Sequence, residues 1–575
     1  MDEEKGKKKD TKLTPEKAWK HYEAGMAFND QLHLDEEVTT GENFFVGKQW
    51  EGVDAHGLPT PTMNFLKKVV LFTVANCTTD NLAMRASPLA ADGQQGEMYQ
   101  VTEAINEQFA SLLEHNNIGG LIREFMRNAA VDGDGCMYTF WDPDMETGRP
   151  DRGGIATEIV ENTRVYFGNP AERRTQKQPW IVITRREQIK SLKKRAKKAG
   201  VKGWDDIQTD SQHYYRDGAP KDDDYATVLM HFHRTDEGTI WYYECTKDVE
   251  LKSVDMGIRL YPVVWLNWDY RQDNYHGQSL ISGLIPNQIY VNRAYAMQML
   301  SLSTTAYPKV IYDPARIRKW TNQVGVAIPV ETTNGMGVAG AAEVINGGSV
   351  SPQVQALVQS VIDNTQNFMG ATQSAMGEGA ANNTSAIVAL QRASNIPHEI
   401  TKQNLYAAIE ELGRIYLEFM GEYYGVRQVT GHFPKTISPE LAAFSGIQPG
   451  QKFDMVFDFS TLKDHPMSLK LDVGASAYWS EITSLQTLDN LLSAGHIDPV
   501  QYLERVPEGY IPDKETLLSE LKQRRDAMMG MQQGAPGGAP EQLVDNGEKI
   551  DLLNRGGRGN QQLAQAIRRG QDVKV

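Results

Sequence analysis

The segment Gly377-Glu378-Gly379-Ala380-Ala381-Asn382-Asn383-Thr384-Ser385 decides the fold. It belongs to a stretch, 371–385, in which no apolar side chain is larger than Met376. Such a stretch cannot bury itself in a core. Strongly helical sequence flanks it on both sides, so the sequence predicts two long helices joined by a small polar loop.

The helix before this loop is predicted to begin at Ser351-Pro352, a hydroxyl cap followed by proline at the first helical position. Its apolar residues recur at helical spacing and predict a single apolar stripe. They are Val354, Leu357, Val358, Val361, Ile362, Phe368 and Met369. The helix after the loop is predicted to run to Tyr424, and we expect Pro397 to kink it.

Another long helix is predicted upstream, over 277–306, apolar on most of its surface and containing Pro286. A small mixed excursion, 307–350, separates it from the helix at Ser351. We expect this excursion to contain the strands 310–312, 325–330 and 344–345 and a short basic helix, 315–323. For the cations of that helix, Arg316, Arg318 and Lys319, partner or DNA contact and plain solubility are equally good explanations.

The N-terminal half is predicted to mix helices and strands, which gives an α+β fold class. Thr14-Pro15 starts an amphipathic helix that ends near Leu34. Further helices are expected over 63–81, 98–115, 118–131 and the basic stretch 185–200. Strands are expected in the aromatic-rich segment 43–50, over 136–141, within 155–182, in a hairpin over 225–251, and over 261–268. The basic helix is interpreted as a solvated face, with phosphate contact as the alternative.

Length and composition bound the classes of protein. A chain of 575 residues exceeds one compact core, so two to four domains are expected. The formal net charge of −15 disfavours tight wrapping of nucleic acid, but a channel through which DNA slides remains compatible. Cys77, Cys136 and Cys245 form no CxxC pair, which argues against a disulfide framework or zinc ribbon. Neither a signal peptide nor a transmembrane helix is predicted.

The search for catalytic or metal chemistry is negative. Gly41 to Lys48 approaches the Walker phosphate loop but is followed by Gln49 where Ser or Thr is needed. His231 and His233 share one face of a predicted strand, which we interpret as solvated rather than as a metal site. The acidic run 222–224 is interpreted as a linker. Gly277 to Ile281 fails the esterase elbow at its last position. We therefore predict no enzyme activity, no metal and no cofactor.

The order of these pieces resembles the portal proteins of tailed bacteriophages. Each segment alone is weakly specific, and their order and spacing over about residues 14–530 carry the resemblance. The segments are Asn43-Phe44-Phe45-Val46-Gly47-Lys48-Gln49-Trp50, Asp132-Gly133-Asp134-Gly135, Tyr275-His276-Gly277-Gln278-Ser279 with Gln288 and Asn292 downstream, and the loop 377–385.

The resemblance implies a portal-type subunit with wing, stem, clip and crown regions. The implied regions are an N-terminal tail (1–13), the first part of the wing (14–276), stem helix 1 (277–306), the clip (307–350), stem helix 2 (351–370), the tunnel loop (371–385), a long kinked helix with the rest of the wing (386–464), the crown (465–529) and a C-terminal tail (530–575). In the tunnel loop the residues expected to touch DNA are Gly377, Glu378, Gly379, Asn382 and Asn383. In the clip the expected partner-binding residues are Arg316, Arg318 and Lys319.

The resemblance also implies a function and partners. About twelve copies would close into a ring at one capsid vertex of the virion, after assembly in the host cytoplasm. Double-stranded DNA would pass through this ring, without sequence specificity, during packaging and ejection. Further expected partners are the major capsid protein, the terminase motor and the head–tail adaptor. The alternatives are another oligomeric virion structural protein and a hydrolase without a recognisable motif.

Overall fold

A computed structural model describes residues 13–79, 82–88, 95–146, 152–210, 224–306, 309–321, 323, 326–331, 338, 340–345, 352–371, 396–432, 452–463, 467–473, 488–493, 496–506, 514 and 516–522. The chain forms two compact units, Met1–Trp479 and Ser480–Val575. The helix Pro499–Arg505 belongs to the second unit and begins with a capping box between Asp498 and Gln501. All elements below belong to the first unit.

The described residues of the first unit contain nine α-helices. They are α1 (Pro15–Gln31), α2 (Leu34–Val46), α3 (Phe65–Thr78), α4 (Gln95–His115), α5 (Ile118–Asp132), α6 (Ile189–Lys198), α7 (Leu280–Ala306), α8 (Pro352–Phe368) and α9 (Glu399–Phe419). Thr14 caps α1 through its hydroxyl and Pro15 follows it, as the sequence predicts. A 3₁₀ turn, Ile396–His398, contains Pro397 and leads into α9, and a π-helical turn, Met420–Tyr424, ends it.

The strands pair antiparallel throughout. They are β1 (Leu82–Pro88), β2 (Asp134–Glu146), β3 (Arg152–Ile159), β4 (Val165–Phe167), β5 (Trp180–Gln188), β6 (Tyr225–Arg234), β7 (Ile240–Cys245), β8 (Glu250–Asp255), β9 (Val263–Asn267), β10 (Lys309–Tyr312), β11 (Ala342–Ile345), β12 (Val426–His432), β13 (Lys452–Asp458) and β14 (Met467–Val473). They form a five-stranded sheet, β4-β5-β6-β7-β8, a three-stranded sheet, β3-β2-β9, and the pairs β1-β14, β10-β11 and β12-β13. Together with the helices, these sheets confirm the α+β class.

The main core lies where α3, α5, α7 and α9 pack against the three-stranded sheet. Its fully buried members include Leu66, Phe125, Val291 and Leu412. Because α5 buries Ile118, Ile122, Phe125, Met126 and Ala129 at helical spacing, its apolar face is fixed against this core. The five-stranded sheet has a separate covering: α1 lays Trp19 and Tyr22 against Tyr166 and Leu229. The first unit thus has a main core and a separate layer in which α1 covers the five-stranded sheet.

Four predictions about individual elements are wrong. The segment 43–50 is no strand, because Asn43–Val46 closes α2, whose Leu34, Val38 and Phe45 are buried at helical spacing. The basic helix begins at Ile189 rather than at residue 185, since the preceding four residues extend β5 along β6. The helix predicted over 315–323 is replaced by a turn at 314–316, and the described residues 326–330 form no strand. In that segment the Glu331 backbone N–H donates to the Arg316 carbonyl instead.

Other predictions are confirmed or lie beyond what the structure describes. The hairpin turning at Asp236-Glu237-Gly238 joins β6 to β7, and the return strand of the excursion is β11, paired with β10. Helix α7 begins at Leu280 and continues through Pro286. The residues at 372–395, which include most of the predicted tunnel loop, lie outside the described residues, as do Asp222, Asp223 and the tail from 523.

Candidate functional site

The carboxylate of Asp134 is the centre of a buried junction at the root of α7. Its side chain is only 1% exposed. One oxygen, Oδ2, lies 2.7 Å from His276 Nδ1, and the other, Oδ1, accepts from the Gly277 backbone N–H at 2.7 Å and from Asn267 Nδ2 at 2.7 Å. Since a buried carboxylate is costly unless its oxygens are satisfied, these contacts hold the segment before α7 against the first residue of β2.

Asn29 extends this junction to α1. Its side-chain oxygen Oδ1 lies 3.1 Å from His276 Nε2 and accepts from the Tyr275 hydroxyl at 3.3 Å. The Trp265 indole of β9 donates to the Tyr275 carbonyl at 3.0 Å. One polar network therefore connects α1, the strands β2 and β9 of the three-stranded sheet, and the start of α7. Networks of this kind specify a single arrangement when every member is satisfied.

Two glycines allow the strands of this junction to approach closely. Gly133 has φ +99, a backbone conformation that favours glycine, and a Cβ there would lie 3.2 Å from the Gly277 carbonyl oxygen. A Cβ on Gly277 would lie 2.9 Å from the Gly133 carbonyl and 2.8 Å from that of Asp269. Two of the sequence segments that carry the resemblance, 132–135 and 275–279, thus meet here although about 140 residues separate them in the chain.

A second polar layer lies two turns along α7. Gln288 Nε2 donates to Asn292 Oδ1 at 2.9 Å, and Asn292 Nδ2 donates to Gln49 Oε1 at 2.6 Å. Gln288 Nε2 also reaches the Met63 carbonyl at 2.7 Å. All three amide side chains are buried. A buried amide that is turned away from its partner is left unsatisfied, so this layer fixes the rotation of α7 about its own axis.

Beyond this layer α7 leaves the body of the unit. Its last buried residue with a described side chain is Ala296, and every side chain from Met297 to Ser303 is exposed or half-buried. Helix α8 accompanies α7: Asn287 Nδ2 donates to Thr365 Oγ1 at 3.0 Å, and Val358 and Ile362 are buried. The ends of the two helices are joined through the antiparallel pair β10-β11. The result is an antiparallel helix pair that carries a small strand pair at one end.

Large apolar side chains are uncovered along this helix pair. Met297 is 58% exposed and Leu302 70%, and Met299 and Leu300 lie beside them. On α8, Leu357 is 53% and Phe368 79% exposed, so part of the predicted apolar stripe is uncovered. A soluble monomer rarely exposes such a concentration of large apolar side chains, and patches of this type mark protein–protein contacts. The helix pair is thus a candidate assembly surface.

Comparison with known families agrees with this architecture. The model of the phage P22-like portal protein family matches residues 20–430. The chain belongs to this portal family. The matched range includes the junction, the helix pair and the excursion between the helices. Portal proteins are structural components of the bacteriophage virion, with roles in genome packaging and head–tail connection. Among curated proteins, no match is found.

In this portal-family chain, the three cations of the predicted clip lie in a turn. Arg318 forms an ion pair of 2.6 Å with Glu331, and both side chains are largely exposed. Lys319 is exposed and Arg316 is half-buried. The neighbouring rings of Tyr312 and Trp320 stack at 5.6 Å. Arg316, Arg318 and Lys319 thus share one short irregular segment after β10, whereas the tunnel-loop residues Gly377, Glu378, Gly379, Asn382 and Asn383 lie outside the described residues.

The two histidines of β6 do share one face, with their rings 5.4 Å apart, but they are not solvated as predicted. His231 is 1% exposed, and its Nε2 lies 2.9 Å from His21 Nδ1 of α1. Burial lowers the pKa of His231 well below its usual value, and burial lowers the pKa of His21 and His233 as well. Within the described part of the chain, no three His, Cys, Asp or Glu side chains are grouped so that they could hold a metal ion.

The sequence indicates the two halves of the junction as separate segments but does not identify Asn29 and Asn267 as their partners. These residues carried no local signal, since a single amide in a helix or loop is common. Among the described residues, no helix is both long enough and apolar enough to cross a membrane.

Proposed function

We propose that copies of this chain close into a ring at one capsid vertex, with the α7–α8 helix pair as the stem that surrounds a DNA channel. The uncovered Met297 and Leu302 carry the proposal. A closed ring needs two different complementary faces on each subunit, and an apolar helix pair projecting from the body offers such a face. Membership of the portal family supports the same assembly. A ring of about twelve copies is expected from the resemblance.

The remaining segments then take the roles that the resemblance implies. The excursion 307–350 is the clip, which docks the terminase motor during packaging and the head–tail adaptor afterwards. Its exposed Lys319 and Arg318 are available to an acidic partner surface. The loop 371–385 is the tunnel loop, and its small polar residues would touch the DNA backbone without discriminating between bases. The wing and crown contact the major capsid protein and the packaged genome.

The acidic character of the chain suits a channel. With 74 acidic and 59 basic residues, the protein repels phosphate over much of its surface. DNA can then slide because no dense set of cations holds its backbone. In this proposal, the contact between the tunnel loop and the duplex is weak, transient and independent of sequence.

Negative-stain electron microscopy of the purified chain tests the proposed ring. The wild-type protein should form rings with a central hole. The double variant Met297→Gln, Leu302→Gln should fail to close rings, because burying a leucine-sized side chain contributes about 2 kcal/mol at each subunit contact. Both positions are exposed in the monomer, so its thermal unfolding should not change.

Val254→Gln is the matched control, because Val254 is an exposed apolar residue on β8 of the five-stranded sheet and not part of the helix pair. Rings should persist in this control. If the wild-type protein remains a compact monomer at every concentration, the proposed function is wrong. If the double variant forms rings as readily as the wild type, the helix pair is not the subunit contact.

A further inference from the structure

Helix α6 presents two faces of opposite character. Leu192 and Ala196 are buried against Ile207 and against Val228 of β6, which fixes the helix on the five-stranded sheet. The side chains of Lys190, Lys194 and Lys198 are all exposed. These lysines follow one another at intervals of four residues, so they lie along one face of the helix. We name this set the lysine stripe.

The other cations near α6 are engaged in holding it in place. Lys193 Nζ donates to the Asp205 carbonyl oxygen at 2.7 Å, and Arg195 forms an ion pair of 2.6 Å with Glu244. Lys197 Nζ lies 4.9 Å from the centre of the Trp204 ring. The lysine stripe differs from this group, because no carboxylate among the described residues lies within ion-pair distance of its three ammonium groups.

The lysine stripe is unfavourable for the helix that carries it. Like charges four residues apart repel by about 0.2–0.5 kcal/mol per pair, and the stripe contains two such pairs. Lys190 also lies in the first turn, where the helix dipole favours an acidic residue, and that turn contains none. Stability and solubility would both be served better by glutamate at position 190. A function outside the helix therefore accounts for the stripe better than its own folding does.

We propose that the lysine stripe contacts the phosphate backbone of double-stranded DNA. Successive stripe residues are separated by about 6 Å along the helix axis, so the stripe presents a row of point charges about 12 Å long on a rigid support. Contacts of this type are independent of base sequence. The site lies outside the segments assigned to the channel, so the inference goes beyond the proposed function and does not depend on ring closure.

The chemistry of the exposed face favours nucleic acid over an acidic protein. A protein partner is normally held by aromatic or aliphatic anchors that enter a pocket. The exposed face of α6 offers none: its apolar residues Leu192 and Ala196 are buried, and Ile189 is packed against the same cluster. A row of ammonium groups without an apolar anchor matches a polyphosphate chain, which is held by charge alone.

Fluorescence anisotropy with a labelled duplex of about 40 base pairs tests the inference on the full-length protein. The double variant Lys190→Gln, Lys194→Gln removes two of the three charges and keeps good helix formers in place. The slope of log K against log salt is negative, and each lost phosphate contact reduces its magnitude by about 0.9. The variant's slope should therefore be shallower by about 1.8. Its thermal unfolding should not shift to lower temperature, because like-charge repulsion is removed.

The double variant Lys177→Gln, Lys247→Gln is the matched control. Both lysines are exposed, and the change in net charge is the same. This control should retain the wild-type slope. Equal slopes for all three proteins, or an equal decrease in the control, would overturn the proposal. Polyglutamate at the same charge concentration should displace little DNA; if it competes as well as unlabelled duplex does, the stripe recognises acidic protein instead.

Discussion

Replacing Asp134 with alanine should weaken the contact between the start of α7 and the three-stranded sheet. The carboxylate serves three donors within 2.7 Å: His276 Nδ1, the Gly277 N–H and Asn267 Nδ2. Alanine leaves all three buried without this acceptor. It also removes the contact from Asn162 Nδ2, which lies 3.4 Å from Oδ2. The surrounding core is too tightly packed for water to replace the carboxylate at no cost.

The magnitude follows from the degree of burial. Each orphaned buried donor costs about 1–3 kcal/mol, and a donor that loses a charged acceptor costs the upper part of this range. Because these terms overlap, we expect about 4 kcal/mol for Asp134→Ala rather than their sum. Asparagine keeps one oxygen for Gly277 and Asn267 and loses the contacts that Oδ2 makes with His276 and, at 3.4 Å, with Asn162. We therefore expect about 1–3 kcal/mol for Asp134→Asn.

Urea unfolding followed by tryptophan fluorescence measures this loss, and hydrogen exchange by mass spectrometry locates it. Exchange should rise in the peptide that spans Gly277 and the first turn of α7. Asp205→Ala is the control, because Asp205 belongs to an ion pair with Lys193 on the surface and is 78% exposed. Such pairs contribute about 0–1 kcal/mol. If Asp134→Ala is no more destabilising than this control, the junction does not fix the start of α7.

Three further predictions concern pH, the clip and the loop. Burial lowers the pKa of His231, so near pH 6.5 the unfolded chain binds a proton that the folded chain does not bind. The free energy of unfolding should therefore be highest above that pH and should fall below it by at most about 1.4 kcal/mol per pH unit. In His231→Gln, the melting temperature should decrease less between pH 7.5 and 5.5 than it does in the wild type. Changing Arg316, Arg318 and Lys319 to glutamate should weaken binding to terminase or adaptor in a pull-down while thermal stability changes little, since the Arg318–Glu331 pair is exposed; unchanged binding to both partners would mean that these cations are only solvated. Deleting part of 377–385 should leave rings intact in electron micrographs but reduce DNA packaging or retention, whereas loss of the rings would move the loop into the subunit contact.

Local signals predicted the elements whose boundaries are fixed locally. The hydroxyl and proline at Thr14-Pro15 set the start of α1, and the apolar spacing of α5 set both its extent and its buried face. The turn at Gly238 set the hairpin of β6 and β7. In each case the residues that determine the element lie within the element, so no distant partner was needed.

The wrong predictions relied on residue type at positions where apolar spacing or strand pairing determines the structure. Aromatic residues favour strands, but Phe44 and Phe45 follow Leu34 and Val38 at helical spacing and close α2. Arg185 and Arg186 look like part of a basic helix, yet the backbone pairs with β6, and Arg186 forms a buried ion pair with Asp210. Tertiary contacts override local propensity at such positions.

The sequence indicated the two segments of the candidate site but not the residues that connect them. The segments 132–135 and 275–279 were recognised as two weak signals, and the contact between Asp134 and Gly277 turns them into one structural unit. The sequence does not identify Asn29 and Asn267 as partners, because their role depends on which distant side chains the fold brings near.

The two parts of α7 have different roles, and together they connect the buried junction to the proposed assembly. Between Leu280 and Ala296 the helix is fixed by buried polar partners, which resist both sliding and rotation because each donor must meet its own acceptor. Beyond Ala296 the helix exposes apolar side chains, which have no directional preference and would pack against any apolar surface. A ring closes only if every subunit presents this face at the same angle. The polar root supplies that angle, and the non-directional apolar face supplies the contact, so both parts of one helix are needed for the proposed assembly.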